Sequence, residues 1–233
     1  MPLFKMFKIL LIFVFLLIPI NVSSHIGHYE KINKIQMDIL KDGKIIGFCN
    51  YEFLREGSIT EIKNETKFEV KLLGIKVFSI KSNSIEVYDK DKLISFRSKT
   101  LQNKKKKYVE LNYSKQNKKY LINGSSFKGS SEITSIIGSW WNHKILSADK
   151  QISPLSGSVK NQIVKFIKKE NIYIDGKNYL THKFSLKSKD KNVPDDKKLD
   201  FEIWLEPKRN IIIKVAYNRV GYWEYKLKNI ILN

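Results

Sequence analysis

From about residue 30 onward, apolar and polar side chains alternate with a period of two. Ile35, Met37 and Ile39 are interleaved with Lys34, Gln36 and Asp38, and Phe68, Val70 and Leu72 with Lys67, Glu69 and Lys71. Phe201, Ile203 and Leu205 alternate with Glu202, Trp204 and Glu206, and Trp223, Tyr225 and Leu227 with Glu224, Lys226 and Lys228. Successive side chains of a strand point to opposite faces, so each run predicts a strand with one buried and one wet face. Asp42-Gly43, Glu56-Gly57, Asp89-Lys90-Asp91, Asn123-Gly124, Asp175-Gly176 and Pro207-Lys208-Arg209-Asn210 fall between such runs. Asp-Gly and Asn-Gly supply the positive φ angles that tight hairpins need. Short turns between neighbouring strands predict sequential antiparallel pairing, not βαβ units. The fold expected is mainly β: a curved antiparallel meander or (half-)barrel of roughly nine to eleven strands. A flat sheet of that width leaves open edges and lacks the native twist, so it should curl.

One stretch departs from this period. Ile133, Ile136, Ile137, Trp140 and Trp141 stand at the spacing of one helix face, with Ser130 or Ser131 as N-cap and Glu132 in the first turn. This predicts a short helix near 131–142, lying across the sheet, with Gly138 as its weak point. Lys187–Lys198 is polar, carries Pro194 and predicts an exposed loop. Lys104–Lys107, beside Asn103, reads as a solvated hairpin tip.

The amino terminus follows another logic. Lys5 and Lys8 precede an apolar run from Ile9 to Ile20, and Val22 and Ser24 place small residues before a cleavage point. That is the layout of a secretory signal peptide cut near Ser24, leaving residues 25–233 as one β-rich domain in the periplasm or outside the cell. A membrane anchor would need about 20 apolar residues; this run has twelve and ends in Pro19-Ile20. Cys49 is the sole cysteine, so no internal disulfide holds the fold.

The net charge is +20, from 43 Lys and Arg against 23 Asp and Glu. Such an excess usually points to a phosphate-bearing or anionic partner. Only 4 of the 43 are arginine, while isoleucine appears 32 times and alanine twice. Lysine enrichment of this kind follows AT-rich coding, and the bidentate guanidinium fork that favours phosphate is nearly missing. The expected surface is solvated, with weak contact to an anionic envelope surface and no nucleic-acid role. The protein is expected to be a monomer.

Catalytic patterns are absent from the chain. It has no Gly-x-Ser-x-Gly elbow, no phosphate-cradling glycine loop and no carboxylate pair that stands out. Cys49 sits in a strand-like setting and reads as a small packed hydrophobe. His182 is in phase with Leu180, Phe184 and Leu186, the position of a core histidine, and His143 follows the twin tryptophans at the predicted helix end. No two histidines have zinc-type spacing, and no metal or cofactor is called for. A remote alternative is a copper enzyme: cleavage just before His25 would leave an amine and imidazole to grip the metal, with His143 or His182 as the distant ligand.

The tryptophans remain. Trp140, Trp141, Trp204 and Trp223 could line a site for an apolar or amphipathic ligand inside a curved sheet, or could be core packing. Trp204 is out of phase with Phe201, Ile203 and Leu205 and so faces the other side of its strand. The concave face separates the two readings. A carrier needs small residues or a gap there, and a filled sheet brings Leu, Ile and Phe together.

Several short motifs together resemble a known family. They are His28-Tyr29, Gly43-Lys44-Ile45-Ile46-Gly47, Ile85-Glu86-Val87-Tyr88-Asp89 with Lys92-Leu93, and Ser98-Lys99-Thr100. Ser139-Trp140-Trp141-Asn142, Ile203-Trp204-Leu205, Ile213-Lys214-Val215 and Tyr225-Lys226-Leu227 continue the series. The chain is similar over nearly its whole mature length to a bacterial secreted family described as domain of unknown function 6134. Where that family has Asp-Gly after the Glu-aromatic strand, this chain has Asp89-Lys90-Asp91-Lys92, and the turn is expected to differ. The resemblance implies a β-rich periplasmic protein shaped like the curved sheets of lipoprotein carriers. It supplies no catalytic residue. The function expected is a non-catalytic binding or carrier module for an apolar or amphipathic ligand; the alternative is an interaction protein of the envelope with a basic surface.

Overall fold

Each alternating run hydrogen-bonds to the next in sequence. The computed structural model describes residues 26–233; the expected signal segment and His25 lie outside the described residues. The first eight strands are β1 (Ile32–Lys41), β2 (Lys44–Glu56), β3 (Ile59–Leu72), β4 (Ile75–Asp89), β5 (Lys92–Gln102), β6 (Lys105–Ser114), β7 (Lys119–Gly124) and β8 (Lys128–Glu132). After a connecting segment come β9 (Ile136–Ile137), β10 (Lys150–Ile152), β11 (Val159–Ile174), β12 (Lys177–Ser188), β13 (Asp200–Glu206), β14 (Ile211–Asn218) and β15 (Tyr222–Leu232). They form one sheet in the order β8-β7-β6-β5-β4-β3-β2-β1-β15-β14-β13-β12-β11-β10-β9. β1 pairs with β15, so the meander has two halves joined through the terminal strands. Every pair is antiparallel except β9 with β10.

The sheet has fifteen strands, more than the nine to eleven expected. β8, β9 and β10 are short and carry no alternation. The tips at Leu73-Gly74 and Val220-Gly221 hide behind apolar residues. Asn123-Gly124 ends β7 and is not itself a tight turn. Lys90 takes the positive φ of the β4–β5 turn, so a two-residue connection survives without glycine. The tip between β5 and β6 is Asn103-Lys104, and Lys105–Lys107 already belong to β6. The loop after β12 is exposed over most of its length and holds a 3-10 turn at Asp195–Lys197.

The expected helix near 131–142 does not form; among the described residues there is no α-helix. Ile136-Ile137 is instead extended and pairs with Gln151 and Ile152 of β10. Ile136, Ile137, Trp140 and Trp141 are all buried, while Ile133 is exposed. An extended chain enclosed on both sides buries residues in adjacent pairs, and such pairs mimic helical spacing. Gly138 fits this closeness: its N–H donates to the Ile152 carbonyl, and a Cβ there would collide with Gln151.

The segment from Ile133 to Ser158 lies within the curve of the sheet and touches most of its wall. The Tyr51 hydroxyl of β2 accepts from the Trp140 N–H at 3.1 Å, and Ser98 of β5 donates to the Pro154 carbonyl at 2.6 Å. Gln162 of β11 donates to the carbonyls of Ile145 and Ala148, both at 2.8 Å. The Ser126 N–H reaches the Ser156 carbonyl at 3.0 Å, and Gly124 backs onto Gly157. These contacts bridge the gap between the sheet's two unpaired ends, which do not hydrogen-bond to each other as strands. Core side chains such as Met37, Ile39, Ile62, Phe96, Leu111, Ile203 and Val215 are fully buried.

Candidate functional site

The concave wall is not filled everywhere. Along β4, Ile80, Ser82, Ser84, Glu86 and Tyr88 share one face, as period-two geometry requires, and all five are buried. Opposite them on β2 and β3 stand Cys49, Asn64 and Thr66, and on β5 Ser98 and Thr100. Of these side chains, Cys49, Asn64, Thr66, Ser82, Ser84 and Glu86 line a cavity of about 240 Å³. Its apolar wall is Tyr51, Phe68, Ile80, Trp140, Phe201 and Tyr225, with Tyr217 near the opening. Gly138, Ser139, Pro154 and Leu199 line it as well, and the exposed Arg219 with the half-buried Lys160 marks its mouth. Arg219 donates to the Lys198 carbonyl at 2.7 Å, and Lys160 to the Lys197 carbonyl, so the two cations sit by the loop after β12.

Glu86 lies at the inner end, 1 % exposed. Its carboxyl accepts from Trp141 Nε1 at 2.9 Å and from the Tyr88 hydroxyl at 2.8 Å. Burial raises its pKa above the ordinary 4.5, and hydrogen bonds from Trp141 and Tyr88 offset only part of that. The folded protein therefore holds this proton to higher pH than the unfolded chain does. The stability contributed by the group is complete below about 4.5 and declines as pH rises through the folded value. Glu86→Gln keeps an acceptor for Trp141 and removes the titration. Urea midpoints of the two proteins should converge near pH 4 and separate toward pH 7, with the variant more stable; parallel curves would contradict this reading.

The cysteine is part of this wall. Cys49 Sγ accepts from Thr66 Oγ1 at 3.2 Å and Asn64 Nδ2 at 3.3 Å, and burial raises its pKa. It packs as a small buried side chain.

The four tryptophans go to four different places. Trp140 lines the cavity and packs its ring against Phe201 at 5.1 Å and Tyr225 at 6.1 Å. Trp141 points the other way, into a closed cluster with Tyr29, Phe53 and Tyr88 at 5.2, 5.5 and 5.8 Å. Trp223 stacks on Tyr217 at 5.8 Å and meets Phe68 at 5.6 Å, next to the cavity wall but not on it. Trp204 is on the outer face of β13, as its phase requires, yet it is buried. Lys183 and Lys214 lie over its ring at 4.7 and 4.9 Å, and its Nε1 donates to Glu170 at 2.8 Å. Cation–π contacts and lysine stems thus cover a large aromatic on the wet side.

The histidines separate likewise. His143 Nδ1 is 2.8 Å from the Tyr29 hydroxyl, and its ring is 5.5 Å from that of His28. Burial, with His28 and Lys144 adding repulsion, lowers the His143 pKa to about 4. His182 is half-buried against Phe166 and not in the core. Among the described residues, no three His, Cys, Asp or Glu side chains gather as a metal-holding group.

Sequence reasoning names Trp140 but misses the rest of the cavity: Tyr51, Glu86, Phe201, Tyr217 and the mouth cations. β4 carries the readable signal. Ile80 and Tyr88 share a phase with Ser82, Ser84 and Glu86, while Ile85 and Val87 face outward. Polar residues on the core phase of a strand bracketed by apolar ones mark a wall facing a space.

No curated protein matches the chain. A solved structure described as a β-barrel-like protein of domain of unknown function DUF1849, from Brucella abortus, superposes with a TM-score of 0.61 at 12 % identity. The match covers 87 % of this chain and 98 % of that one, and it establishes a shared fold only. A protein with a YmcC-like fold from Bacteroides fragilis gives a TM-score of 0.36 at 11 % identity, over 85 % and 94 % of the two chains. Among the described residues, no helix is long and apolar enough to cross a membrane. The family described as domain of unknown function DUF6134 matches residues 37–228, and the chain belongs to it.

Proposed function

We propose that the protein is a non-catalytic binding or carrier module, working outside the cytoplasm, that takes one amphipathic small molecule into the concave cavity. One observation carries the reading: Cys49, Asn64, Thr66, Ser82 and Ser84 line the concave face at positions where a filled sheet would place Leu, Ile or Phe. A volume of about 240 Å³ is just below the range usual for small-molecule sites and suits a single small ligand. The apolar part would lie among Tyr51, Phe68, Trp140 and Phe201, and a polar or anionic head would meet Lys160 and Arg219 at the mouth. The signal-like segment before residue 25 supports an extracytoplasmic setting.

The test is a calorimetric titration with octanoic acid as probe, an amphipathic carboxylate small enough for the cavity. Native protein should bind one probe per chain, saturably. Ser84→Leu fills the cavity from a buried position and should weaken binding by at least about tenfold while leaving the thermal midpoint within a few degrees. Absence of saturable binding, or equal binding by the folded variant, would favour an interaction protein with a closed interior.

A further inference from the structure

The β3–β4 hairpin runs past its neighbours. β2 pairs with β3 only as far as Phe68, and β5 pairs with β4 only from Ile80. Glu69 to Ser79 therefore stands as a two-stranded ribbon beyond the rest of the sheet. Its tip is apolar: Leu72 is 65 %, Leu73 94 % and Ile75 69 % exposed. Clustered large apolar side chains in water mark a contact surface.

The backbone adds a second observation. Leu73 and Gly74 both have positive φ, 49° and 80°. The Asp42-Gly43 and Asp175-Gly176 turns take nearly the same angles, 48° and 77°, and 48° and 76°. Aspartate tolerates the left-handed region and suits such a turn; leucine does not. The chain thus holds a leucine, against local preference, at the most exposed point of the ribbon. Val220 repeats this in the β14–β15 turn, with φ 49° and 91 % exposure. That turn is tied to the β1–β2 turn through the Tyr222 N–H and Asp42 Oδ1 at 2.8 Å, so both apolar tips lie at one end of the sheet.

Lysines frame them. Lys71 and Lys76 flank the ribbon tip and share Glu69 at 3.4 Å. Lys104, Lys105 and Lys106 are exposed on the adjoining β5–β6 tip, where Asn103 is bonded to Ser79. Lys44 is exposed beside the β1–β2 turn. Apolar tips ringed by ammonium groups complement an anionic bilayer, which accepts leucines at the acyl boundary and lysines among its phosphates. A few side chains on a narrow tip fall short of the ~800 Å² per partner of a stable protein interface. We infer that this end of the sheet docks on anionic lipid bilayers, with Leu72, Leu73 and Ile75 entering the interface. Arg219, at the cavity mouth, lies next to Val220, so the docked protein turns its opening toward the membrane. The inference holds whether or not the cavity takes a ligand.

The experiment is flotation with vesicles of phosphatidylcholine containing one quarter phosphatidylglycerol, at about 0.1 M salt. The native chain should float with them, more weakly with pure phosphatidylcholine and less as salt rises. The triple variant Leu72→Ser, Leu73→Asn, Ile75→Ser should lose at least about tenfold in partitioning. Leu73→Asn alone suits the turn better, should keep or raise the thermal midpoint, and should still weaken binding; it keeps the test open if the triple variant misfolds. Failure of the native chain to float, or equal flotation of the folded variants, overturns the proposal. So does a native dimer that the triple variant splits, which would make a second copy the occupant.

Discussion

Trp141→Ala is expected to cost about 4 kcal/mol of stability and to lower Tm by roughly 10 °C or more. The indole is fully buried and touches the rings of Tyr29, Phe53 and Tyr88, so its loss opens a large void between the inner segment and β2 and β4. It also takes the indole donor from a buried carboxyl, Glu86. Trp141→Phe should retain most of the packing and lose only the hydrogen bond. Trp140→Ala should cost clearly less, because part of that ring already borders open space. Urea unfolding followed by circular dichroism measures all three, and a loss below about 1.5 kcal/mol for Trp141→Ala would contradict the role given to the aromatic cluster.

The second large effect belongs to Gly47→Val, expected to cost about 3 kcal/mol or more. β2 bulges there: Ile39 of β1 pairs with Gly47, but Leu40 pairs with Ile45. The bend drives the β2 backbone onto β3, and a Cβ on Gly47 would collide with the Lys67 carbonyl and the Phe68 Cβ. Neither obstacle is the flexible end of a side chain, so the strands must part. Gly43 offers the contrast. It has φ 77°, and a Cβ added there would meet nothing within 4 Å, so Gly43→Asn should change stability by under about 1 kcal/mol. If both substitutions cost the same, close strand approach is not what Gly47 provides.

Much of the sheet is legible in the sequence because burial on one face forces alternation. Ile35, Met37 and Ile39 of β1 are buried together as their spacing requires, and Asp42-Gly43 and Asp175-Gly176 form the expected tight turns. Legibility fails where an element is buried on two faces or on none. The inner segment from Ser135 to Trp141 has walls on both sides, and its adjacent buried pairs imitate a helix. The β3–β4 tip has no wall at all, and its Leu73-Gly74 turn reads as the continuation of an apolar strand. The cavity is hidden for a third reason: serine and threonine on a concave face look like solvent-facing residues until the phase of β4 is fixed by Ile80 and Tyr88.

These three places are also where function is proposed, which is expected when local rules yield to a site. An inner segment holds the curve open, small residues leave room within it, and an apolar tip stands at the same end as the mouth. The carrier reading depends on the middle of these. Native mass spectrometry of the protein, isolated without detergent from the cells that make it, tests it most directly. The expected spectrum contains a population carrying one small amphipathic adduct that is lost in Ser84→Leu. A bare chain from every preparation, or an adduct equally present in that variant, would contradict it.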